Sequence, residues 1–238
     1  AKAAESDAIM HYLLVRRGDY FIAARLRAAS LMTRRGDLAG ARTLLHNTAV
    51  PDAAGRAELV IGEATLVSES GDKKAAVQLL ERAVAKDPKN VPLRYELGMM
   101  AERQGKMDLF ERSMRTVIKQ DPKYAQAYNA LGFMFADRNE RLNESRVLLE
   151  KALSLAPNDP FILDSMGWLC YREKKLDAAL DYLNRAAALR ADPEIVAHQV
   201  TVLQAMGRYD DAVLVWRAGI QRFPDSADLK SLQPVGMT

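Results

Sequence analysis

The sequence predicts an all-α protein, a right-handed superhelix (α-solenoid) of about six antiparallel helix pairs. Helix-breaking residues recur at a nearly constant interval, and from Gly36 onward the steps are 35, 34, 34, 35 and 33 residues. The later breaks fall at Gly71, Gly105, Asn139, Lys174 and Gly207. Between the breaks, apolar residues follow helical spacing. A fixed period of this length is typical of stacked helical repeats.

The amino-terminal end is predicted to be an irregular repeat, with two helices over residues 5–17 and 19–34. The stretch "RRGD" occurs at 16–19 and again at 34–37. Two Arg suit the negative end of a helix dipole, Gly suits a left-handed cap, and Asp can begin the next helix. The tetrapeptide is therefore interpreted as turn structure in preference to an integrin-type adhesion loop.

Four later segments show the helix that follows each turn. They read "GDKKAAVQLLERAVAKDP", "GKMDLFERSMRTVIKQDP", "KKLDAALDYLNRAAALRADP" and "GRYDDAVLVWRAGIQRFP". Each begins at a helix breaker, carries apolar residues at helical spacing and stops at or near a Pro, which cannot continue a helix. The turn "ADRNERLNES" holds one extra residue and is predicted to form a longer loop.

These features predict a single solenoid domain over residues 1–238, with irregular helices at 5–34. The predicted repeats are 22–53, 57–90, 91–124, 125–159, 160–192 and 193–226, and a carboxyl-terminal tail covers 227–238.

Composition narrows the class of function. The chain has 34 Lys and Arg against 31 Asp and Glu, without the clustered basic stripe that nucleic-acid binding requires. The lone Cys170 permits no internal disulfide, and no apolar window is long enough to span a membrane. The opening "AKAAESDAIM" has no initiator Met and no lipidation cysteine, which suggests a fragment or a processed form.

The spacing of small residues resembles the tetratricopeptide repeat family over nearly the whole chain. In that family, small residues at positions 8 and 20 let the two helices of a repeat cross closely. Position 8 is occupied by Ala29, Ala64, Gly98, Gly132, Gly167 and Val200. Position 20 is occupied by Ala41, Ala76, Phe110, Ser145, Ala179 and Ala212. Phe110 departs from the pattern, so either Gly98 makes room for its ring or the helix pair is splayed locally.

The reactive residues do not form a catalytic or metal-binding constellation. Cys170 has no His in its own repeat, because the three His lie at 11, 46 and 198. No two His have metal-ligand spacing on one helix, and there is no Cys pair. The stretch "GMMAERQGK" lacks the spacing of a phosphate loop. The sequence therefore predicts no enzyme, no cofactor and no metal site.

The resemblance implies that first helices line a concave surface suited to a protein or peptide partner. The candidate partner-binding residues on that surface are Tyr95, Met99, Asn129, Phe133, Phe161, Asp164, Trp168, Tyr171 and Arg172. Exposed clusters of aromatic residues and Met are typical of binding hot spots. The alternative, that some of these rings belong to the repeat core, stays open. Among positions that clamp a terminal carboxylate in chaperone-binding members, only Asn129 fits, which argues against that role.

The carboxyl half resembles one bacterial branch more closely, the large periplasmic tetratricopeptide lipoproteins of Gram-negative outer membranes. The residues that carry this resemblance are "FADRN" at 135–139, "DPFILDSMGW" at 159–168 and "DPEIVAH" at 192–198. It implies an adaptor tethered to the outer membrane by a segment absent from this chain. Some such proteins are thought to hold a carboxyl-terminal processing protease and bring it to cell-wall enzymes. The branch usually continues "HLGEVLW", whereas residues 198–204 read "HQVTVLQ", so an altered partner surface is expected.

Three functions follow from these observations. The first is a periplasmic adaptor that binds a protein partner through the concave aromatic strip or a helix end. The second is a cytoplasmic tetratricopeptide adaptor for another assembly, and the third is the carboxyl-terminal interaction domain of a larger enzyme. Self-association also stays open, because a truncated solenoid exposes an apolar end.

Overall fold

The structure is a computed structural model that describes residues 2–232 and residue 234, with side chains described from residue 6. In that part of the chain every regular element is a helix, which confirms the all-α prediction. The helices are α1 (Lys2–Leu14), α2 (Phe21–Arg34), α3 (Leu38–His46), α4 (Ala53–Glu69), α5 (Lys73–Lys86), α6 (Val91–Glu102), α7 (Met107–Gln120), α8 (Ala125–Asp137), α9 (Leu142–Leu155), α10 (Pro160–Arg172), α11 (Leu176–Leu189), α12 (Pro193–Ala205), α13 (Tyr209–Arg222) and α14 (Ala227–Ser231). Residues 233 and 235–238 of the predicted tail lie outside the described residues.

The chain divides into two compact units, Ala1–Gln120 and Asp121–Thr238, where the sequence had predicted one domain. In the first unit α2 packs against α3, α4 against α5, and α6 against α7. In the second unit the pairs are α8 with α9, α10 with α11, and α12 with α13. The first helices of neighbouring repeats also pack within each unit, α2 on α4 and α4 on α6, then α8 on α10 and α10 on α12.

The predicted breaks are tight turns. Positive φ angles occur at Gly18, Gly36, Gly71, Gly105, Asn139, Lys174 and Gly207, which confirms all seven positions. At the second "RRGD", Gly36 has φ 89° and the Asp37 carboxylate accepts a hydrogen bond from the backbone N–H of Gly40, so it caps α3. The first copy differs from the prediction, because α1 ends at Leu14 and Arg16 and Arg17 lie beyond the helix.

Helix starts follow from capping side chains. Five helices in the middle of the chain begin where a side-chain oxygen accepts a hydrogen bond from a backbone N–H of the first turn, which satisfies an otherwise unpaired donor. The capping residues are Asp52, Asp72, Asn90, Asp159 and Asp192. Pro160 and Pro193 occupy the first helical position, where a missing N–H costs nothing.

The close helix crossings are also confirmed, because all twelve residues at positions 8 and 20 are buried. A Cβ added to Gly167 would lie 2.7 Å from Leu183 Cγ and 3.1 Å from the Ala179 carbonyl oxygen. In the preceding repeat, Ser145 Oγ donates a 2.7 Å hydrogen bond to the Gly132 carbonyl oxygen. The small residues therefore set the distance between the two helices of a repeat.

The Phe110 ring is accommodated without using the space beside Gly98. Phe110 is 1% exposed. A Cβ at Gly98 would meet Met114 Cε and Ser113 Cβ, and the Phe110 atom closest to it is the backbone carbonyl oxygen at 3.6 Å. The first of the two predicted explanations is therefore wrong, since Met114 and Ser113 fill that space.

The turn that holds the extra residue of the fourth predicted repeat is not longer than every other turn, so the structure does not confirm its predicted lengthening. Four residues, 138–141, separate α8 from α9, and four, 103–106, also separate α6 from α7, whereas three separate α10 from α11. Both Asn139 and Arg141 have positive φ, and the Arg141 guanidinium carbon lies 3.7 Å from the centre of the Phe135 ring. This cation–π contact favours the strained turn. Among the described residues, no helix combines the length and the hydropathy that crossing a bilayer requires.

Candidate functional site

The nine predicted partner-binding residues fall into two groups. Tyr95 and Met99 lie on α6 in the first unit, whereas the other seven lie on α8 and α10 in the second. On α8, Asn129, Phe133 and Asp137 follow one another at intervals of four residues and so share one face. Side chains of α8 contact those of α10 and α12. The surface that these three first helices form together is called the first-helix face of the second unit.

Aromatic rings stack at the centre of this face. Trp168 of α10 stacks on the His198 ring of α12, with centroids 4.1 Å apart and planes 20° apart. Tyr171, one turn farther along α10, also stacks on Trp168 at 4.9 Å. Phe133 of α8 approaches His198 with a centroid distance of 6.2 Å and a tilt of 45°. The rings of three first helices therefore form one cluster.

A buried polar pair fixes the position of the His198 ring. His198 Nδ1 lies 2.9 Å and 3.0 Å from the two carboxylate oxygens of Asp164. An ionised carboxylate only accepts hydrogen bonds, so Nδ1–H of His198 is the donor. Both residues are buried, and the hydrogen bond compensates the cost of removing each group from water.

Sequence reasoning did not assign His198 to the site, although the signal was available. Asp164 and His198 are 34 residues apart, about one repeat, so they lie at the adjacent positions 5 and 6 of neighbouring first helices. The same register brings Asp137 to Trp168 and Arg172, which lie 31 and 35 residues away. Searching for complementary side chains one repeat apart would have found both contacts.

Asp137 and Arg172 form the polar edge of the cluster. Trp168 Nε1–H donates a 3.2 Å hydrogen bond to Asp137 Oδ1, and Arg172 Nη2 donates a 2.6 Å bond to the Asp137 carbonyl oxygen. The Arg172 guanidinium carbon also lies 4.7 Å from the Trp168 ring centre, which is cation–π distance. The end of α8 is thereby tied to the carboxyl-terminal part of α10.

Solvent exposure changes the interpretation of the two central residues. Trp168 is 9% exposed and Asp164 is 5% exposed, because the indole lies between two rings and the carboxylate faces His198. They were predicted to meet a partner directly, but their side chains are instead buried within this unit. Asn129, Phe133, Tyr171 and Arg172 are half-buried and form the accessible part of the face.

Three other predicted residues have separate surroundings. Phe161 is 42% exposed at the start of α10, and the Arg190 guanidinium carbon lies 4.9 Å from its ring centre. On α6, Tyr95 and Met99 are half-buried on either side of Glu96. Burial raises the pKa of Glu96, and the nearby positive charge of Arg103 partly opposes the rise.

The accessible part of the face contains two buried polar atoms without a hydrogen-bond partner among the described residues, Asn129 Oδ1 and Arg172 Nε. One is an acceptor and the other a donor, and both belong to residues predicted to bind a partner. Unpaired buried polar atoms are rare in folded proteins, and each costs about 1–3 kcal/mol.

The chemistry of the unit does not favour a nucleophile. Burial raises the pKa of the Cys170 thiol, although the neighbouring Arg146 guanidinium opposes the rise. A protonated thiol is a poor nucleophile. Asp164, Glu194 and His198 could each present a ligand atom within 4.8 Å of the others, a grouping that sequence spacing did not reveal. In that group Asp164 and His198 already satisfy one another.

Comparison with known proteins supports the repeat assignment. The tetratricopeptide repeat family matches residues 68–132 and 125–159. The chain is 37% identical over 193 residues to the TPR repeat-containing protein PA4667 of Pseudomonas aeruginosa, covering 80% of this chain and 32% of that protein. It is 26% identical over 180 residues to the human protein O-mannosyl-transferase TMTC1, covering 74% of this chain and 20% of that one.

Similarity to solved structures extends over most of the chain. A tetratricopeptide repeat protein from Parabacteroides merdae superimposes with a TM-score of 0.70 at 14% identity, covering 89% of this chain and 83% of the other. This likeness supports the fold. The chain spans about a third of the Pseudomonas relative and a fifth of the human one.

Proposed function

Because the chain carries tetratricopeptide repeats, we propose that it is a non-enzymatic scaffold whose first-helix face in the second unit, on α8, α10 and α12, binds a protein or peptide partner. One observation carries the proposal. The half-buried rings of Phe133 and Tyr171 share this face with the half-buried side chains of Asn129 and Arg172, so the face offers a partner both apolar and polar contacts. Trp168, His198 and Asp164 support the surface from beneath, while Asn129 and Arg172 provide its polar contacts.

The partner is proposed to be a carboxyl-terminal processing protease of the Gram-negative envelope. The resemblance of residues 135–139, 159–168 and 192–198 to outer-membrane tetratricopeptide lipoproteins supports this class of partner, and the Pseudomonas relative is consistent with a bacterial source. The full-length protein would then be periplasmic and anchored in the outer membrane. An open reading frame that encodes a signal peptide and a lipidation cysteine upstream of residue 1 would fit this location.

A binding measurement with purified proteins tests the proposal. The chain is immobilised, and its affinity for a purified carboxyl-terminal processing protease from the same bacterium is measured by biolayer interferometry. A Phe133→Ala/Arg172→Ala variant removes one ring and one guanidinium from the face. We expect it to bind the protease about tenfold or more weakly, because Arg and aromatic residues dominate protein interfaces.

A matched variant controls for indirect effects. Leu214→Ala/Arg217→Ala makes the same types of change at exposed residues of α13, outside the face, and should leave the affinity unchanged. Thermal unfolding must first show that both variants remain folded. If both variants lose the same affinity for the protease, or neither loses any, binding at this face is contradicted. If the unmodified chain does not bind the protease, the choice of protease as partner is contradicted.

The human relative favours a second candidate function. It is named as a mannosyl-transferase, and the chain matches a fifth of its length. The chain could serve in the same way as the interaction domain of a larger enzyme, binding the protein on which that enzyme acts. Reading the complete open reading frame distinguishes the two, because only this candidate requires a catalytic domain on the same polypeptide.

A further inference from the structure

The first unit contains a groove beside α3, which is shorter than the other second helices. In the repeats of both units, the second helices α5, α7, α9, α11 and α13 each have 14 residues, whereas α3 has only 9. At 1.5 Å per residue, α3 is about 7.5 Å shorter than its counterparts. After His46 the chain runs through a loop to Pro51, and α4 begins at Ala53. The space beside α4 that a full-length α3 would occupy is left open.

Three adjoining cavities lie in this space. Their volumes are about 410, 380 and 260 Å³, and Val60 of α4 lines all three. The largest reaches the start of α6 at Leu93, and the smallest reaches the loop after α3 at Thr48. These cavities, called the α3 groove, are lined only by residues of the first unit.

The floor of the α3 groove is apolar. Val60, Leu79 and Ala83 are half-buried and pack against the hydrophobic cluster formed by α4, α5 and α6. Burying their remaining surface would be favourable by about 25 cal/mol for each Å² removed from water.

The rim of the α3 groove is basic. Arg42, Arg56, Arg82 and Lys86 line it, and all four are exposed. Two carboxylates also line the groove. Glu63 is paired with Arg42 at 2.8 Å, and half-buried Asp87 accepts a hydrogen bond from Asn90 Nδ2. Arg82 and Lys86, four residues apart on α5, have no ion pair or side-chain hydrogen bond with any residue that the structure describes. Two neighbouring cations are therefore available on one side of an apolar floor.

We propose that the α3 groove binds an acidic amphipathic helix of a partner protein. Such a helix would take the place of the missing turns of α3, with apolar side chains on Val60, Leu79 and Ala83. Its Asp or Glu residues would then face Arg82 and Lys86. Helix-in-groove recognition uses this combination of an apolar stripe and complementary charge. The surface is separate from the proposed protease-binding face, and either proposal can fail without the other.

The test uses a designed probe and the complete chain. A fluorescein-labelled helical peptide of about four turns carries Leu along one face and Glu elsewhere, and binding is followed by fluorescence anisotropy. We expect saturable binding that weakens as salt is added, because exposed charges are screened. The Arg82→Glu/Lys86→Glu variant should bind about tenfold more weakly, since like charges then face one another.

Matched controls separate the groove from general charge effects. The Lys74→Glu/Arg112→Glu variant makes the same change in net charge at exposed residues of the first unit outside the groove, and should keep the affinity of the unmodified chain. The charge-conserving Arg82→Lys/Lys86→Arg variant should also bind. Replacing the Leu residues of the peptide by Ser should abolish binding, because the apolar floor is then left uncovered.

Four outcomes would overturn the proposal. The peptide does not bind, or a peptide with Lys in place of Glu binds equally well. The two charge-reversal variants lose the same affinity for the peptide, or phosphatidylglycerol vesicles bind the chain and the peptide does not. The last result would assign the basic rim to an anionic lipid surface. Circular dichroism of each variant ensures that a lost interaction does not result from unfolding.

Discussion

The α10–α12 region of the second unit and the α3–α4 region of the first use the same repeat with different results. Around α10, first helices exchange side chains one repeat apart, and Trp168 is enclosed by His198 and Tyr171. Around α3, the second helix stops five residues short, and Val60 lines cavities. Small residues at positions 8 and 20 set the helix crossing in both regions. The length of the second helix, which these positions do not control, decides whether a groove is left.

The largest expected effect is the loss of the enclosed indole. Trp168→Ala should lower the free energy of unfolding by about 3–5 kcal/mol, because it removes a stacked ring and leaves a cavity. Val60→Ala in the α3 groove should cost much less, since Val60 already borders open space. Urea denaturation of both variants checks the contrast. Equal losses would mean that the Trp168 cluster is packed no better than the groove.

The polar pair beneath Trp168 should rank next. Asp164→Ala leaves Nδ1–H of His198 buried without an acceptor, and we expect a loss of about 1–3 kcal/mol. Adding His198→Leu removes the orphaned donor, so the double variant should lose less than the sum of the two single variants. A double-mutant cycle by thermal unfolding measures this coupling. Additive losses would contradict a coupled pair.

A comparison of two glycines tests the helix crossings of the two units. Gly167→Ala would place its Cβ near branched Leu183 and the Ala179 backbone, and should cost about 1–2 kcal/mol. Gly98→Ala meets the flexible end of Met114 and Ser113 Cβ at 3.0 Å, and should cost less than Gly167→Ala, because Met114 can move and Ala gains about 1 kcal/mol over Gly in helix propensity. Chemical denaturation of both variants provides the measurement. A neutral Gly167→Ala would show that α10 and α11 can separate without cost.

The smallest effects concern two carboxylates whose pKa values shift in opposite directions. Hydrogen bonding to Arg146 lowers the pKa of Glu173 in the second unit, so its contribution is present above its unfolded pKa and is lost as pH falls through the folded value. Burial raises the pKa of Glu96 in the first unit, so its ionised form destabilises the fold at neutral pH. Glu173→Gln should therefore destabilise, and Glu96→Gln stabilise, each by less than about 1 kcal/mol at pH 7.

Unfolding at several pH values distinguishes these two contributions. The difference between the unmodified chain and Glu173→Gln should shrink as pH falls toward and below the ordinary Glu range. The difference for Glu96→Gln should shrink over acidic pH as well, with the opposite sign at neutral pH. The same sign for both variants at pH 7 would contradict the assignment of burial and ion pairing to separate units.

Features that depend on residues close together in the sequence were predicted well. The turns at Gly36, Gly71 and Asn139 follow from backbone preferences, and the buried residues at positions 8 and 20 follow from the period. The end of α1 at Leu14 was missed, because apolar spacing continues to Val15 with no Pro or Gly to mark the boundary. The early end of α3 was missed because the helix-stop pattern was read from the later repeats alone.

The sequence predicted which residues belong to the candidate site better than it predicted how they are arranged. Phe133, Trp168, Tyr171 and Arg172 do come together, because a 34-residue period places them on neighbouring first helices. The burial of Trp168 was not predictable, since helical periodicity assigns a face but not how closely the Trp168 ring packs against His198. To predict the role of His198, one would have had to know which side chain one repeat away forms a hydrogen bond with Asp164.

The sandwich around Trp168 gives the molecule an optical reporter at its proposed binding face. The chain has only two tryptophans, and Trp216 donates its indole N–H to the Leu229 carbonyl oxygen, within the second unit but in a different cluster. In a Trp216→Phe variant excited at a wavelength that Tyr does not absorb, emission would come from Trp168 alone, from an indole screened from water and stacked on an imidazole. A ligand that displaces Tyr171 or Arg172 would change the colour and lifetime of that emission, so occupancy of the face could be followed in real time without any attached dye.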